Sequence, residues 1–256
     1  MARTCIKCDG PMVKHFRHKL MCGDSTDASV VQKLMAGEKA DMVFTDPPYN
    51  QASHTSGFAR NSNNKQMSVL MDSSWDKDFI FSKSGETLLA NLAQDATVYV
   101  TTSHFLAPSI WEWMATWAGH HSYCVWAKTN PMPSLAKRHW TWSTELVCYA
   151  TRGKHTFNFP EEGHALSVWT ISKVAKCDLH PTMKPVAVPQ KAIEHSSLPG
   201  HLVMDLFGGA GSTLIACHLT KRRGRLCEID PRYVDVIVKR YEQLTGEKAK
   251  RLGDAE

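Results

Sequence analysis

The chain has 256 residues, 43% of them hydrophobic and 21% charged, and a formal net charge of +5. That length buries one substantial core and is short for two domains. No apolar run of about eighteen residues occurs, and Met1-Ala2-Arg3-Thr4 lacks the apolar stretch of a signal peptide, which excludes a membrane protein and predicts a soluble, cytoplasmic one.

Residues 1–19 read as a short N-terminal extension. Cys5-x-x-Cys8 with His15 and His18 suggests zinc, but the Cys-to-His gap is shorter than in the usual fingers and the terminus is prone to fray, so no metal site is assigned. The eight cysteines, scattered without a dense framework, fit free thiols in a reducing compartment.

Residues 20–246 read as one domain and 247–256 as a tail. Lys19-Leu20-Met21-Cys22 is a strand ending at Gly23-Asp24, and the helix after it carries Val30, Val31 and Leu34 on one side. Asp41 to Thr45 is a buried strand that runs into Thr45-Asp46-Pro47-Pro48-Tyr49-Asn50. The polar 51–75 segment predicts a mobile surface loop.

A further strand is predicted over Thr97 to Thr102, with an apolar helix from about Ala107 to Trp117. Strands follow at Tyr123 to Trp126 and Glu145 to Ala150. Between them Thr129 to Ser134, with two prolines, is an exposed connection. Trp111, Trp113, Trp117 and Trp126 suit core packing, whereas Trp140 and Trp142, beside Lys137, Arg138 and His139, suit contact with nucleic acid.

The last third alternates clearly. His201 to Phe207 is a strand, Ser212 to Thr220 a helix and Arg225 to Glu228 a strand. Val234, Ile237, Val238, Tyr241 and Leu244 then mark the apolar face of a final helix. Lys221-Arg222-Arg223-Gly224-Arg225 is a basic run that leans towards polyanions, although surface lysines are usually just solvated. Strands alternating with helices predict an α/β fold: a twisted, mostly parallel sheet covered on both faces.

In such sheets ligands sit beyond the carboxyl ends of the strands, so Asp24, Asp46, Gly209, Gly211 and Glu228 are expected at one rim. The turn Asp205-Leu206-Phe207-Gly208-Gly209-Ala210-Gly211-Ser212-Thr213 lets backbone approach a ligand and opens a helix with unpaired N–H groups. A dinucleotide fingerprint would need a third glycine at Leu214, so a nicotinamide or flavin oxidoreductase is disfavoured. Glu228, one strand later, suits ribose hydroxyls.

Asp46, Pro47, Pro48 and Tyr49 carry the sharpest chemistry. The Asp46 carboxylate and the Pro47 carbonyl together accept hydrogen bonds from an exocyclic NH₂ and draw its lone pair out of ring conjugation. Tyr49 offers a face on which a base stacks, worth roughly 1 to 3 kcal/mol.

Five motifs stand in one order: Cys22-Gly23-Asp24-Ser25-Thr26, Thr45 to Tyr49, His180-Pro181-Thr182-Met183-Lys184-Pro185, Asp205 to Thr213, and Glu228-Ile229-Asp230-Pro231. In this the chain resembles, over about Leu20 to Leu244, the S-adenosylmethionine-dependent DNA amino-methyltransferases of the permuted β-group, whose catalytic motif precedes the cofactor motif. The resemblance implies a Rossmann-like methyltransferase fold with catalytic Asp46, Pro47, Pro48 and Tyr49. It implies S-adenosyl-L-methionine held by Asp24 at the adenine, Lys184 at the methionine end, Glu228 at the ribose, and Asp205, Phe207, Gly209, Gly211 and Thr213 around the floor.

The aspartate form of the motif implies N6 of adenine in double-stranded DNA, reached by base flipping. N4 of cytosine, action on RNA, or a non-catalytic DNA-binding relative are the alternatives; carbon-5 chemistry lacks its Pro-Cys pair. Only 51–75 and 127–180 remain to read sequence, which predicts a short recognition site or help from a second copy in a homodimer. The restriction-modification setting of such enzymes fits a bacterial or phage origin.

Overall fold

The computed structural model describes residues 18–49, 79–131, 133, 137, 138, 140–174 and 183–250. Cys5, Cys8, His15, the 51–75 loop and His180-Pro181-Thr182 lie outside the described residues. In chain order the elements are β1 (Lys19–Cys22), α1 (Ala28–Met35), β2 (Ala40–Thr45), α2 (Phe81–Ala90), β3 (Leu92–Thr102), α3 (Ala107–Ala115) and β4 (His120–Ala127). They continue with β5 (Thr144–Arg152), β6 (Val168–Thr170), α4 (Ala187–Ser196), β7 (Leu202–Asp205), α5 (Ser212–Leu219), β8 (Arg223–Glu228) and α6 (Pro231–Thr245).

The strands form an 8-stranded sheet in the order β1-β8-β7-β2-β3-β5-β4-β6. Among the described strands, β5 alone runs against its neighbours β3 and β4. The chain enters on one side of β7, crosses to β2 and β3, and returns to β7 and β8 late. The order therefore reverses between β7 and β2, where an open α/β sheet forms its ligand crevice.

Alternation along the central strands covers both faces. Val43, Val98, Val100, Leu202 and Met204 point to one side, into a core with Val31, Leu34 and Met35 of α1, Phe81 and Leu88 of α2, and Ile110 and Met114 of α3. Met42, Phe44, Tyr99 and Val203 point to the other, against Val188, Ala192 and Ile193 of α4 and Ala216 and Cys217 of α5. Each such aliphatic side chain taken from water contributes about 1.5 to 3 kcal/mol. A charge at Val98, fully buried in the sheet, would be left unpaired in this core and would break it.

Helix ends follow local chemistry. Asp27 caps α1 by accepting the Ser29 N–H at 2.8 Å, and the helix stops where Ala36 and Gly37 turn left-handed. Asp230 caps α6 through the Arg232 N–H at 2.9 Å, with Pro231 in the first turn and Gly246 (φ 72°) past its end. The expected apolar face of α6 holds at Ile237, which is buried against Leu214 and Leu226 with Leu20 and Tyr241 alongside; Leu244 lies beyond that contact and is exposed.

The structure bears on three regions singled out in the sequence. The basic run is not a solvated patch: Arg225 is buried and pairs with Glu38, which Arg223 also reaches, while buried Arg222 donates to the carbonyls of Ser197 and Thr220. Within the 127–180 stretch, β5 lies between β3 and β4, so this part of the candidate recognition region belongs to the central sheet. His18 is half-buried and tied to β8: its Nδ1 accepts the Gly224 N–H at 2.9 Å, and desolvation with the nearby charges of His218 and Arg225 lowers its pKa to about 4.

The turn-to-helix junction also explains Leu214. A Cβ on Gly224 of β8 would stand 3.0 Å from Leu214 Cδ1. The close approach of helix to strand is thus made by a glycine on the strand, and Leu214 fills the space.

Candidate active site

Along the carboxyl rim the residues after each strand follow the strand order. Asp24 follows β1, Glu228 ends β8, Asp205 ends β7 and Asp46 follows β2. Ser103 follows β3, and Lys128 follows β4. Because β5 is reversed, it brings its beginning to this rim, so Glu145 stands level with the ends of the others; its neighbour Leu146 pairs with Thr102.

The two halves of the rim meet at Thr45 and Asp205. The Thr45 hydroxyl donates to Asp205 Oδ1 at 2.9 Å in a buried contact, and its oxygen accepts the Leu206 N–H at 3.2 Å. Asp205 Oδ1 also accepts the Phe207 N–H at 3.0 Å, which fixes the start of the glycine turn. Burial pushes the Asp205 carboxyl up to about 7, against the pull of its hydrogen bonds from Thr213, Phe207 and Thr45 and with the help of the Asp46 charge.

On the glycine side, Glu228 Oε2 accepts the Gly209 N–H at 2.7 Å and Oε1 the Asp230 N–H at 2.9 Å. Burial raises its pKa. Gly209 (φ 52°) and Gly211 (φ 79°) adopt left-handed backbone, and α5 begins with no side-chain cap on its first N–H groups. The Phe207 ring meets Phe79 edge-on with centroids 5.4 Å apart. Asp24, exposed beside this turn, holds Thr26 through Oδ1 at 2.8 Å, and the Gly23 N–H binds the Glu228 carbonyl at 2.9 Å.

On the other side lies a charged cluster. Lys184 Nζ is 2.9 Å from Asp46 Oδ2 and 3.0 Å from Glu145 Oε2. Glu145 Oε1 binds Lys128 Nζ at 2.7 Å, and Oε2 accepts the Tyr49 hydroxyl at 3.1 Å. The Thr101 hydroxyl donates to Asp46 Oδ1, and Ser103 Oγ donates to the Tyr49 carbonyl at 3.4 Å. Lys184 Nζ also lies 4.8 Å from the centroid of the Tyr49 ring.

The charges balance locally. Burial would depress the Lys184 pKa, but Asp46 and Glu145 hold it well above the ordinary lysine value. Burial would raise Glu145, but Lys184 and Lys128 hold it below the usual range. Burial, with the Asp46 charge, keeps the Tyr49 phenol protonated far above its ordinary pKa.

The structure thus brings Asp46, Pro47, Pro48 and Tyr49 to one end of β2, beside Asp205, Phe207, Gly209, Gly211, Thr213 and Glu228, with Asp24 at the far end of the same rim. Lys184 touches both halves of the rim: its amine reaches Asp46, and its backbone carbonyl accepts Ser212 Oγ at the end of the glycine turn at 2.6 Å. Glu145, Thr101, Thr45 and Lys128 were missed. A lone acidic residue opening a predicted strand was the only signal for Glu145.

A reversal point with the glycine turn and Glu228 on one side and Asp46-Pro47-Pro48-Tyr49 on the other is the frame of a Rossmann-like methyltransferase fold. The family model described as DNA methylase (N6_N4_Mtase) matches residues 40–239, and the chain belongs to this family. It is 28% identical over 240 residues to the Type II methyltransferase M2.DpnII of Streptococcus pneumoniae, covering 81% of this chain and 84% of that protein. It is 25% identical over 260 residues to M.HinfI of Haemophilus influenzae, covering 91% and 70%. Among solved structures, the M1.HpyAVI–SAM complex aligns at a TM-score of 0.67 and 20% identity over 88% of this chain and all (100%) of that one. The cytosine-N4-specific PvuII DNA methyltransferase aligns at 0.64 and 18% over 88% and 86%. No helix of the described residues is long and apolar enough to cross a membrane.

Proposed function

We propose that the chain transfers a methyl group from S-adenosyl-L-methionine to N6 of adenine in double-stranded DNA. The observation that carries this reading is the buried Thr45–Asp205 hydrogen bond of 2.9 Å, which sets the amino-accepting tetrad and the glycine turn side by side. A donor and an acceptor of a one-carbon group held there are neighbours.

The glycine side fits the cofactor by its donor set. Glu228 keeps lone pairs beyond those taken by Gly209 and Asp230 for ribose hydroxyls, Asp24 stands beside it, and Phe207 offers an aromatic face. The uncapped start of α5 suits a carboxylate. When bound, S-adenosylmethionine supplies a methyl group activated by a positive sulfur.

The chain's own contribution lies at Asp46, Pro47 and Tyr49. Thr101 orients the Asp46 carboxylate through Oδ1, and the Pro47 carbonyl takes no hydrogen bond from the described residues. Both aim at an amino group that must lose conjugation to become nucleophilic. Tyr49, fixed at both its hydroxyl and its carbonyl, receives the extruded base, offsetting part of the few kcal/mol that extrusion costs. Positioning and acceptors aimed at developing charge account for the rate, and the proton released passes to water.

With β5 of the 127–180 stretch built into the central sheet, less of that stretch is left to read sequence, which supports a short recognition site or a homodimer; the cytoplasm is the proposed location. Sequencing of modified bases in DNA from cells expressing the chain, with nucleoside analysis of the product, tests the whole reading. N6-methyladenine in a defined sequence is expected. N4-methylcytosine would move the target within the family, and unmodified DNA would overturn the reading.

A further inference from the structure

Lys184 Nζ stands where a base would have to lie. It is 4.8 Å from the Tyr49 ring centroid, and stacked aromatic partners place their centroids roughly 4.5 to 7 Å apart. It also takes Asp46 Oδ2 at 2.9 Å, while Oδ1 is engaged by the Thr101 hydroxyl. An amine from the chain itself thus uses both the carboxylate and the aromatic face that a target amino group needs.

The arrangement would defeat catalysis if Asp46 were the only partner of Lys184. A charge-assisted hydrogen bond is roughly twice as strong as a neutral one, so a neutral NH₂ cannot evict an ammonium from a lone, buried carboxylate. Glu145 changes that balance. Its Oε2 lies 3.0 Å from the same nitrogen, and Lys128, at 2.7 Å from Oε1, holds the carboxylate in place. Leaving Asp46 therefore does not leave the ammonium without a counter-charge.

We propose that Lys184 is a displaceable occupant of the base pocket, and that Glu145 is the positioning residue that retains its ammonium when the base's amino group takes Asp46. This rests on the reading that Asp46 and Tyr49 receive an extruded base. Lys184 competes with the base, and Glu145 sets how easily it gives way. Glu145 touches no reacting atom; it acts through Lys184.

The test is a double-mutant cycle on the full chain, using a duplex that keeps adenine at the target position and carries 2-aminopurine as its stacked neighbour, in the recognition sequence found by modified-base sequencing. Its fluorescence reads base extrusion, and anisotropy of a labelled duplex separately reads DNA affinity. Glu145→Gln is expected to lower the extrusion signal roughly tenfold. In a Lys184→Met background the same substitution is expected to change nothing. An equal loss in both backgrounds would show that Glu145 only props Tyr49, and would overturn the proposal, as would a loss of signal in Lys184→Met alone.

Should the Lys184 variant fail to fold, the ¹⁵N resonance of the wild-type Lys184 ammonium gives the same answer. It is expected to shift on titration with the recognised duplex and not with an unrelated one; an unmoved resonance would overturn the proposal. Failure of the underlying reading looks different, since a wild-type chain that neither binds nor modifies DNA is detected before any variant is compared.

Discussion

Thr45 and Asp205 are 160 residues apart in the chain, yet the hydroxyl of one donates to the carboxylate of the other at 2.9 Å in the interior. Because β2 and β7 are parallel neighbours, each ends at the same edge, and this contact, with the Leu206 N–H bond to the same hydroxyl oxygen, seals the seam between the two motifs. Thr45→Val keeps the shape and removes the donor. With the Asp205 carboxylate and the Leu206 N–H each losing a partner, a loss of about 1 to 3 kcal/mol is expected. Thermal unfolding should register it as a drop of roughly 2 to 4 °C per kcal/mol.

Asp46→Ala removes the charged acceptor from the tetrad but touches nothing on the glycine side. Methyl transfer should fall by at least about 10²- to 10³-fold, while cofactor binding measured by calorimetry stays within about twofold. Unchanged turnover would refute the role of Asp46.

Stability should depend on pH through Asp205. Its folded pKa of about 7 lies above the ordinary 3.8, so the folded state binds the extra proton. That contribution is complete below about pH 4 and is lost as pH rises towards 7, at up to about 1.4 kcal/mol per pH unit. Denaturation from pH 4.5 to 7.5 should show a shallower fall for Asp205→Asn than for the wild type; an identical slope would argue against the shifted carboxyl.

Glu38 is the partner of both Arg223 and Arg225, and Arg225 is buried. Glu38→Ala removes the carboxylate that both guanidiniums reach, at an expected cost of about 1 to 3 kcal/mol in urea unfolding, below the fully buried case because the Glu38 side chain is 35% exposed. DNA affinity at fixed salt should not change, because Arg222 and Arg225 of this basic run are buried. A DNA-binding loss without destabilisation would reinstate it as a nucleic-acid surface.

Trp140 is 98% exposed, and Trp142 is 61% exposed with its ring 4.6 Å from that of His104, next to Ser103 at the rim. Trp140→Ala should weaken binding of the recognised duplex by about tenfold or more, in keeping with roughly 1 to 3 kcal/mol per stacked base. Its melting temperature should be unchanged. Equal affinity for both proteins would remove this side chain from the DNA surface.

The sequence was most legible where an apolar strand runs straight into chemistry, as at Phe44-Thr45-Asp46 and Met204-Asp205, because strand ends in a parallel sheet must share a rim. It was least legible where direction mattered. Glu145 looks like the unremarked start of a strand, and nothing in Thr144–Arg152 says that this strand is reversed. The helices α2 and α4 carry a glycine or proline that pattern reading takes for a break. Gly85 is required instead by Trp113, whose Nε1 would lie 2.9 Å from a Cβ there, and Pro189 is buried against the core. The run Lys221 to Arg225 misled for a similar reason, since its counter-charge, Glu38, comes from a distant segment.

Ser212 anchors the carbonyl of Lys184 at 2.6 Å. With its backbone moored there, the least costly movement of the amine is a short swing of its four methylenes about a hinge pin, a change of torsion angles that leaves the fold as it is. The first turn of α5 also holds that pin, so a disturbance of this helix start would be felt at the tip of the lysine, on the far side of the seam.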